Sequence, residues 1–187
     1  MTFDWTPHRF SGGALALDVA NSVILRFDAD RRVDRFAVPA QLDGFVEAAG
    51  RFGGERQDFP ALSPIAPERL SRFVELRESI DQTFRHRVRH GHDDPLALAD
   101  LLEAIARTLR HHGDAIDPCP VDLATAHSAL RLVGQPEPER LKICPNCEWL
   151  FIDRSRNRSR GWCDMAVCGN RSKARLHYAK KRKAVTP

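Results

Sequence analysis

The chain has 187 residues, 42% of them hydrophobic and 29% charged, which allows one cored domain and a small appendage. No apolar run approaches the roughly 20 residues a bilayer-spanning helix needs. Met1-Thr2-Phe3-Asp4-Trp5 has neither the basic start nor the apolar run of a secretion signal, so the expected compartment is the cytoplasm. The net charge of +4 hides a segregation: Arg154 to Lys183 holds eleven basic residues and one acid, a balance of +10, while the remainder stands at −6. The tail has the sign to meet a polyanion and the body does not.

In chain order, the run from Ala14 to Leu25 is apolar on nearly every side after Ser11-Gly12-Gly13, and predicts a buried helix. Loose alternation between Phe27 and Val38 suits a short hairpin. Leu42, Phe45, Val46 and Ala49 repeat at helical spacing between Pro39 and Gly50. The longest helix is expected from about Pro64 to His90, with Arg77 interrupting the stripe of Leu70, Phe73, Ile80 and Phe84. Asp94 is placed to cap a helix with Pro95 at its first position. A last body helix runs from about Val121 to Val133 and stops at Gly134.

Asp18, Asn21 and Arg77 are polar residues on these apolar faces. A buried charge needs a partner, which predicts an Asp18–Arg77 salt bridge across the core. Two readings follow: a network that only fixes helix packing, or a small-molecule pocket lined by Asp18, Asn21 and Arg77.

Cys144 and Cys147 are separated by two residues, Cys163 and Cys168 by four, and the two pairs by fifteen. The first spacing forms a knuckle that aims two thiolates at one point; the second fits around the first turn of a helix. Four thiolates hold Zn²⁺ tetrahedrally in a closed, structural site with no position for water. Two disulfides would need an oxidising compartment, and a redox Cys-x-x-Cys belongs near a βαβ pattern that is absent. Cys119, flanked by prolines, reads as incidental. Trp149, Leu150, Phe151 and Trp162 are expected to supply the small apolar cluster beside the metal, because about forty residues cannot otherwise bury enough surface.

Between the cysteine pairs, Arg154, Arg156, Arg158 and Arg160 recur at every second position. In an extended segment they would share one side; in a loop they would splay. After Cys168 a basic helix is expected, with Arg171, Arg175 and Arg182 on one face, Lys173 on an adjoining one, and Val167, Ala174 and Tyr178 toward the metal. Guanidiniums on a tethered loop and helix suit phosphate, which arginine contacts in bidentate fashion.

The segments Cys144-Pro145-Asn146-Cys147-Glu148-Trp149-Leu150-Phe151, Trp162-Cys163 and Cys168-Gly169-Asn170-Arg171 resemble the CGNR zinc-finger family, over about Arg140 to Arg182. Glu148 departs from the family pattern, which has Gly before the Trp. Leu15-Ala16-Leu17-Asp18-Val19-Ala20-Asn21-Ser22 resembles the ABATE-type domain that usually accompanies this finger. The resemblance implies a bacterial stress-induced transcription regulator with a helical sensing or dimerising body and a treble-clef-like, DNA-binding finger.

The expectation is therefore a mainly α protein: a helical domain over 1–138, then a zinc finger of short β-hairpin plus helix over 139–187. One structural Zn²⁺ would sit on Cys144, Cys147, Cys163 and Cys168. DNA would meet Arg154, Arg156, Arg158, Arg160, Arg171, Lys173 and Arg175, with RNA the other polyanion compatible with such cations. A small-molecule effector and a homodimer are both compatible with the body. No Gly-x-Ser-x-Gly, phosphate-binding Gly loop or His-Glu-x-x-His stands in the chain, so no enzymatic activity is expected. The alternative is a ligand-binding or enzymatic body whose finger contacts protein or RNA.

Overall fold

The computed structural model describes residues 3–112 and 117–185, without the side chains of Lys180 and of 182–185. It is mainly helical, with α1 (Leu15–Ala20), α2 (Pro39–Phe52), α3 (Leu70–His90), α4 (Pro95–His112), α5 (Val121–Val133) and α6 (Asn170–Val185). Among the described residues the strands form three two-stranded pairings. β1 (Val23–Ile24) runs antiparallel to β2 (Val33–Asp34), and β3 (Leu62–Ser63) parallel to β4 (Cys119–Pro120). β5 (Leu141–Ile143) and β6 (Leu150–Ile152) form an antiparallel hairpin with Leu141 opposite Ile152 and Ile143 opposite Leu150. No described helix is long and apolar enough to cross a membrane.

Local signals set several boundaries. Asp94 Oδ1 accepts the N–H groups of Leu96 and Ala97 at 2.9 and 3.2 Å, the capping geometry that starts α4. The run from Ala14 is not one helix, however. It stops at Ala20, where Asn21 caps it, and Val23–Ile24 turns into a strand. Asn21 carries a side chain able to bond backbone elsewhere, and it does so below. The N-terminal N–H groups of α1 are met from a distance: Leu15 N–H by Glu55 at 2.8 Å and Ala16 N–H by Ser128 at 2.9 Å. Helix α3 begins at Leu70 after a single 3₁₀ turn, Pro67–Arg69, rather than at Pro64.

Two apolar clusters fill the helical body, and a third, smaller one lies beside the four cysteines. One joins Phe10, Val19, Phe36, Phe45, Phe73 and Val121, with Phe36 stacked on Phe73 at 5.6 Å between centroids. The other gathers Leu17, Leu76, Ile80, Phe84, Leu101 and Leu132 from the helices. Leu141, Leu150 and Ile152 of the C-terminal hairpin belong to this second cluster. The hairpin therefore completes the helical core rather than trailing from it. This corrects the expected grouping of Leu150 with the metal's own cluster, which contains Trp149 and Phe151, with Trp162 packed against it.

The buried guanidinium of Arg77 also has a different partner from the one expected. It donates both Nη atoms to the carboxylate of Asp34 at 2.7 Å, its Nε to Glu78 at 2.8 Å and Nη1 to Ser22 at 3.3 Å. Asp18 instead accepts the Gly12 N–H at 2.9 Å through Oδ1, while its Oδ2 has no partner among the described residues. The β1–β2 hairpin brings Asp34 onto α3, and this long-range pairing takes Arg77 away from Asp18.

Candidate metal centre and basic edge

Strand β5 ends at Ile143, one residue before Cys144, and the chain reverses through Pro145 to Glu148 into Trp149 and β6. The turn is closed by Cys144 N–H on the Trp149 carbonyl and Glu148 N–H on the Cys144 carbonyl, both 2.8 Å. Glu148 has φ +61°, a left-handed conformation that glycine adopts without strain. Arg85 of α3 donates Nη1 to the Glu148 carbonyl at 2.8 Å, so the body clamps this turn.

The second cysteine pair sits at the entry to α6. Asp164 accepts Ala166 and Val167 N–H on Oδ1 at 2.8 and 3.2 Å, opening the wide π-helical turn Met165–Gly169 that carries Cys168. His8, from the N-terminal segment, reaches Asp164 at 3.1 Å and stacks on Trp149 at 5.3 Å.

The sulfur atoms of Cys144, Cys147, Cys163 and Cys168 all lie within 4.8 Å of one another. Cys147 and Cys163 are 3.5 Å apart, and Cys163 and Cys168 3.6 Å. A tetrahedron with Zn–S bonds of about 2.3 Å has S···S edges of about 3.8 Å, so the donor set fits the ion. Hydrogen bonds among the thiols push Cys144 below the ordinary thiol range and Cys147 and Cys163 above it. A divalent cation removes that competition by taking all four as thiolates. Asn146 Nδ2 donates to Cys168 Sγ at 3.3 Å, an orienting contact outside the ligand set.

Between the pairs the arginine segment is a loop. It turns at Ser155, with Arg158 N–H on the Ser155 carbonyl and Arg158 at φ +52°. Its anchor is buried Asp153, which accepts Lys142 Nζ at 2.6 Å and the N–H groups of Ser155 and Arg160 at 2.9 and 3.0 Å. Burial alone would raise this carboxyl, but the Lys142 ammonium and the Ser155 and Arg160 bonds hold it well below the usual range. Lys142 also donates to the carbonyls of Arg158 and Arg160.

A sequence model of the ABATE family, described as "Putative stress-induced transcription regulator", matches residues 13–136, about two thirds of the chain. The chain belongs to the ABATE family. The CGNR zinc finger matches residues 140–181, which include all four cysteines. No curated protein matches the chain. Family and geometry agree on one structural zinc ion held by Cys144, Cys147, Cys163 and Cys168.

In this ABATE protein the four loop guanidiniums splay rather than share a side. Arg154 is exposed and donates to the Gly13 carbonyl at 2.6 Å. Arg156 is exposed and has no hydrogen-bond or charge partner among the described residues. Arg158 is engaged by Glu137 at 2.5 Å and by Glu139. Arg160 donates Nε to the Trp162 carbonyl at 2.9 Å and lies over the Phe151 ring.

Apart from half-buried Ser172, the described side chains of helix α6 from Arg171 onward are exposed. Arg171, Lys173 and Arg175 are exposed with no carboxylate within 4.0 Å among the described residues. Tyr178 is 66% exposed and Ala174 is exposed too, so the expected packing of both toward the metal does not occur; only Val167, on the turn before the helix, is partly covered. Arg182, expected on the face of Arg171 and Arg175, has its side chain outside the described residues.

Arg171 and Arg175 face Arg9 across a groove of about 420 Å³ floored by Trp149, Ile24 and Val167. Burial, and after it the nearby charges of Arg35 and Arg171, lower the Arg9 guanidinium. Sequence reasoning missed Arg9, His8, Lys142 and Asp153. Arg9 and His8 are more than 130 residues from the finger they join, and no local pattern marks them.

Asp18, Asn21 and Arg77 are not brought together as a pocket. Each side chain addresses a different partner, and Asn21 and Asp18 serve the docking of the finger. Asn21 pairs with the backbone of Leu150, and the Gly12 peptide held by Asp18 accepts the Ile152 N–H at 2.9 Å. The tightness of that turn is specific to glycine at position 12, where a Cβ would stand 2.7 Å from Asp18 Oδ1 and 2.9 Å from Leu17 Cβ.

Proposed function

We propose that the protein is a cytoplasmic transcription regulator that binds duplex DNA through the basic edge of its zinc finger. The observation that carries this reading is the exposed, unneutralised set of Arg156, Arg171, Lys173 and Arg175 on a zinc-anchored loop and a projecting helix. Cations without internal partners are available to phosphate, whereas Arg158 and Arg160 already hold the loop in shape. Arg154, exposed on a neutral carbonyl, and Arg9, across the groove, extend the same edge.

A helix whose described cationic side chains are exposed fits the major groove of B-form DNA, while the deep, narrow major groove of A-form RNA does not admit it. The family's description in terms of transcription regulation supports the same partner class. Four thiolates need a reducing compartment, which supports the cytoplasm. The reading assigns no catalytic step, since a four-thiolate zinc leaves no open coordination position.

The test is anisotropy of zinc-loaded protein against labelled duplex DNA, with a matched RNA duplex, across a salt series. Four phosphate contacts give a slope of log affinity against log salt of about −3.6. Arg171→Gln/Arg175→Gln should flatten that slope and weaken binding. Absent or salt-insensitive binding would overturn the proposal, and preference for RNA would replace DNA as the partner.

A further inference from the structure

A second cleft, distinct from the groove lined by Arg9, Arg171 and Arg175, lies between the β1–β2 loop and the C-terminal half of α3, with a volume of about 540 Å³. That volume is within the usual range for small-molecule sites, about 300–1,000 Å³. Its floor is built from buried charge. Arg85 and Arg26, with side chains 7% and 11% exposed, both meet Asp81; Arg85 does so through two hydrogen bonds, at 2.6 and 3.0 Å. Arg26 also pairs with Glu78 at the rim.

Above this floor stand two guanidiniums, Arg32 from the loop and Arg89 from α3. Neither has a carboxylate within 4.0 Å among the described residues. Four guanidiniums thus line a cleft with two carboxylates, a surplus of two positive charges with the histidines counted as neutral. His86 adds an Nε2 shielded from solvent with no hydrogen-bond partner among the described residues. Phe27, 53% exposed, forms an apolar wall against which Arg85 and Arg89 lie at 4.8 and 5.3 Å.

We infer that this cleft binds a small organic phosphomonoester. Its charge at neutral pH, about −1.5 to −2, matches the surplus, and its three terminal oxygens can accept from the exposed guanidiniums of Arg32 and Arg89. A carboxylate offers one charge and two oxygens and leaves donors unmet. The Phe27 wall suits an ester group with apolar surface. The site is mechanically joined to the metal centre, because floor residue Arg85 also holds the Glu148 carbonyl of the zinc knuckle.

The experiment is calorimetric titration of the zinc-loaded, full-length protein with phenyl phosphate and with inorganic phosphate, at constant ionic strength set by chloride. Saturable binding of phenyl phosphate with Kd below about 1 mM is expected, tighter than inorganic phosphate. Arg32→Gln/Arg89→Gln alters two exposed side chains and should weaken binding at least ten-fold without shifting the melting temperature. Arg107→Gln, an exposed arginine on α4 outside the cleft, should leave affinity unchanged. Absence of saturable heat, or equal affinity in the double variant, overturns the inference. Loss of duplex DNA affinity in the double variant, with no phosphomonoester binding, also overturns it and assigns the cleft to nucleic-acid backbone.

Discussion

Asn21 and Leu150 exchange two hydrogen bonds of 2.9 Å across 129 positions of sequence, the Asn21 amide donating to the Leu150 carbonyl and its oxygen accepting the Leu150 N–H. Asn21 acts as a neighbouring strand would, meeting the outer edge of β6, which no third strand covers among the described residues. Both residues are buried, so neither backbone group has water as a substitute. Asn21→Ala leaves a buried donor and a buried acceptor unmet, at a cost of about 3 kcal/mol. Urea denaturation measures it; a loss within about 0.5 kcal/mol would mean that apolar contacts alone dock the hairpin.

Removing zinc should be felt well beyond the finger. The strands that flank Cys144 contribute Leu141, Leu150 and Ile152 to the same cluster as Leu76, Ile80 and Phe84. Chelation, or Cys144→Ser, is therefore expected to lower the single melting transition of the whole chain. An appended, independent finger would instead unfold separately and leave the helical transition in place. Calorimetry with and without a chelator separates the two outcomes.

Half-buried Asp34 and buried Asp18 should respond to pH in opposite directions. Asp34 is held below the usual carboxyl range against its burial by the Arg77 guanidinium. Its contribution is present above the unfolded value, about 3.9, and is lost as pH falls through the lower folded value. Asp34→Ala leaves Arg77 buried without its bidentate partner and should cost about 3 kcal/mol at pH 7. Asp18 is pushed well above the usual range, chiefly by burial, so the folded state holds its proton more tightly than the unfolded chain does. Stability then falls as pH rises from about 3.9 toward the folded value. Asp18→Asn removes that fall: the variant should match wild type near pH 4 and exceed it at pH 8. Identical melting curves against pH would show that Asp18 does not titrate as its burial implies.

Glu148→Gly should stabilise the protein by about 1 kcal/mol, because a left-handed φ costs an L-residue about 1–2 kcal/mol and glycine returns part of that gain as unfolded-state entropy. The Glu148 side chain is exposed, and Arg85 bonds only its carbonyl, so no contact is lost. A destabilised variant would mean that the glutamate side chain has a role in the turn. Thermal melting of the zinc-loaded protein decides it.

Features that depend on near neighbours along the chain were legible before the fold was known. Cys144, Cys147, Cys163 and Cys168 announced their metal because ligand spacing is a local property of a knuckle and a helix turn. Asp94 with Pro95 marked the start of α4, and α5 runs from Val121 to Val133 as its periodicity and Gly134 required. The segregation of charge was equally plain. Which polar groups meet was settled by folding. Arg77 was legible as a buried charge, yet its partner Asp34 arrives on a hairpin whose position depends on the packed core. Arg158 had the pattern of a phosphate ligand until the Glu137 and Glu139 carboxylates were folded against it. Arg9 had no pattern at all and lines one groove with Arg171 and Arg175 on a segment whose His8 stacks on Trp149. Periodicity and caps are written into adjacent residues; the partner of a buried or clustered charge is chosen by distance in space, which sequence separation does not encode.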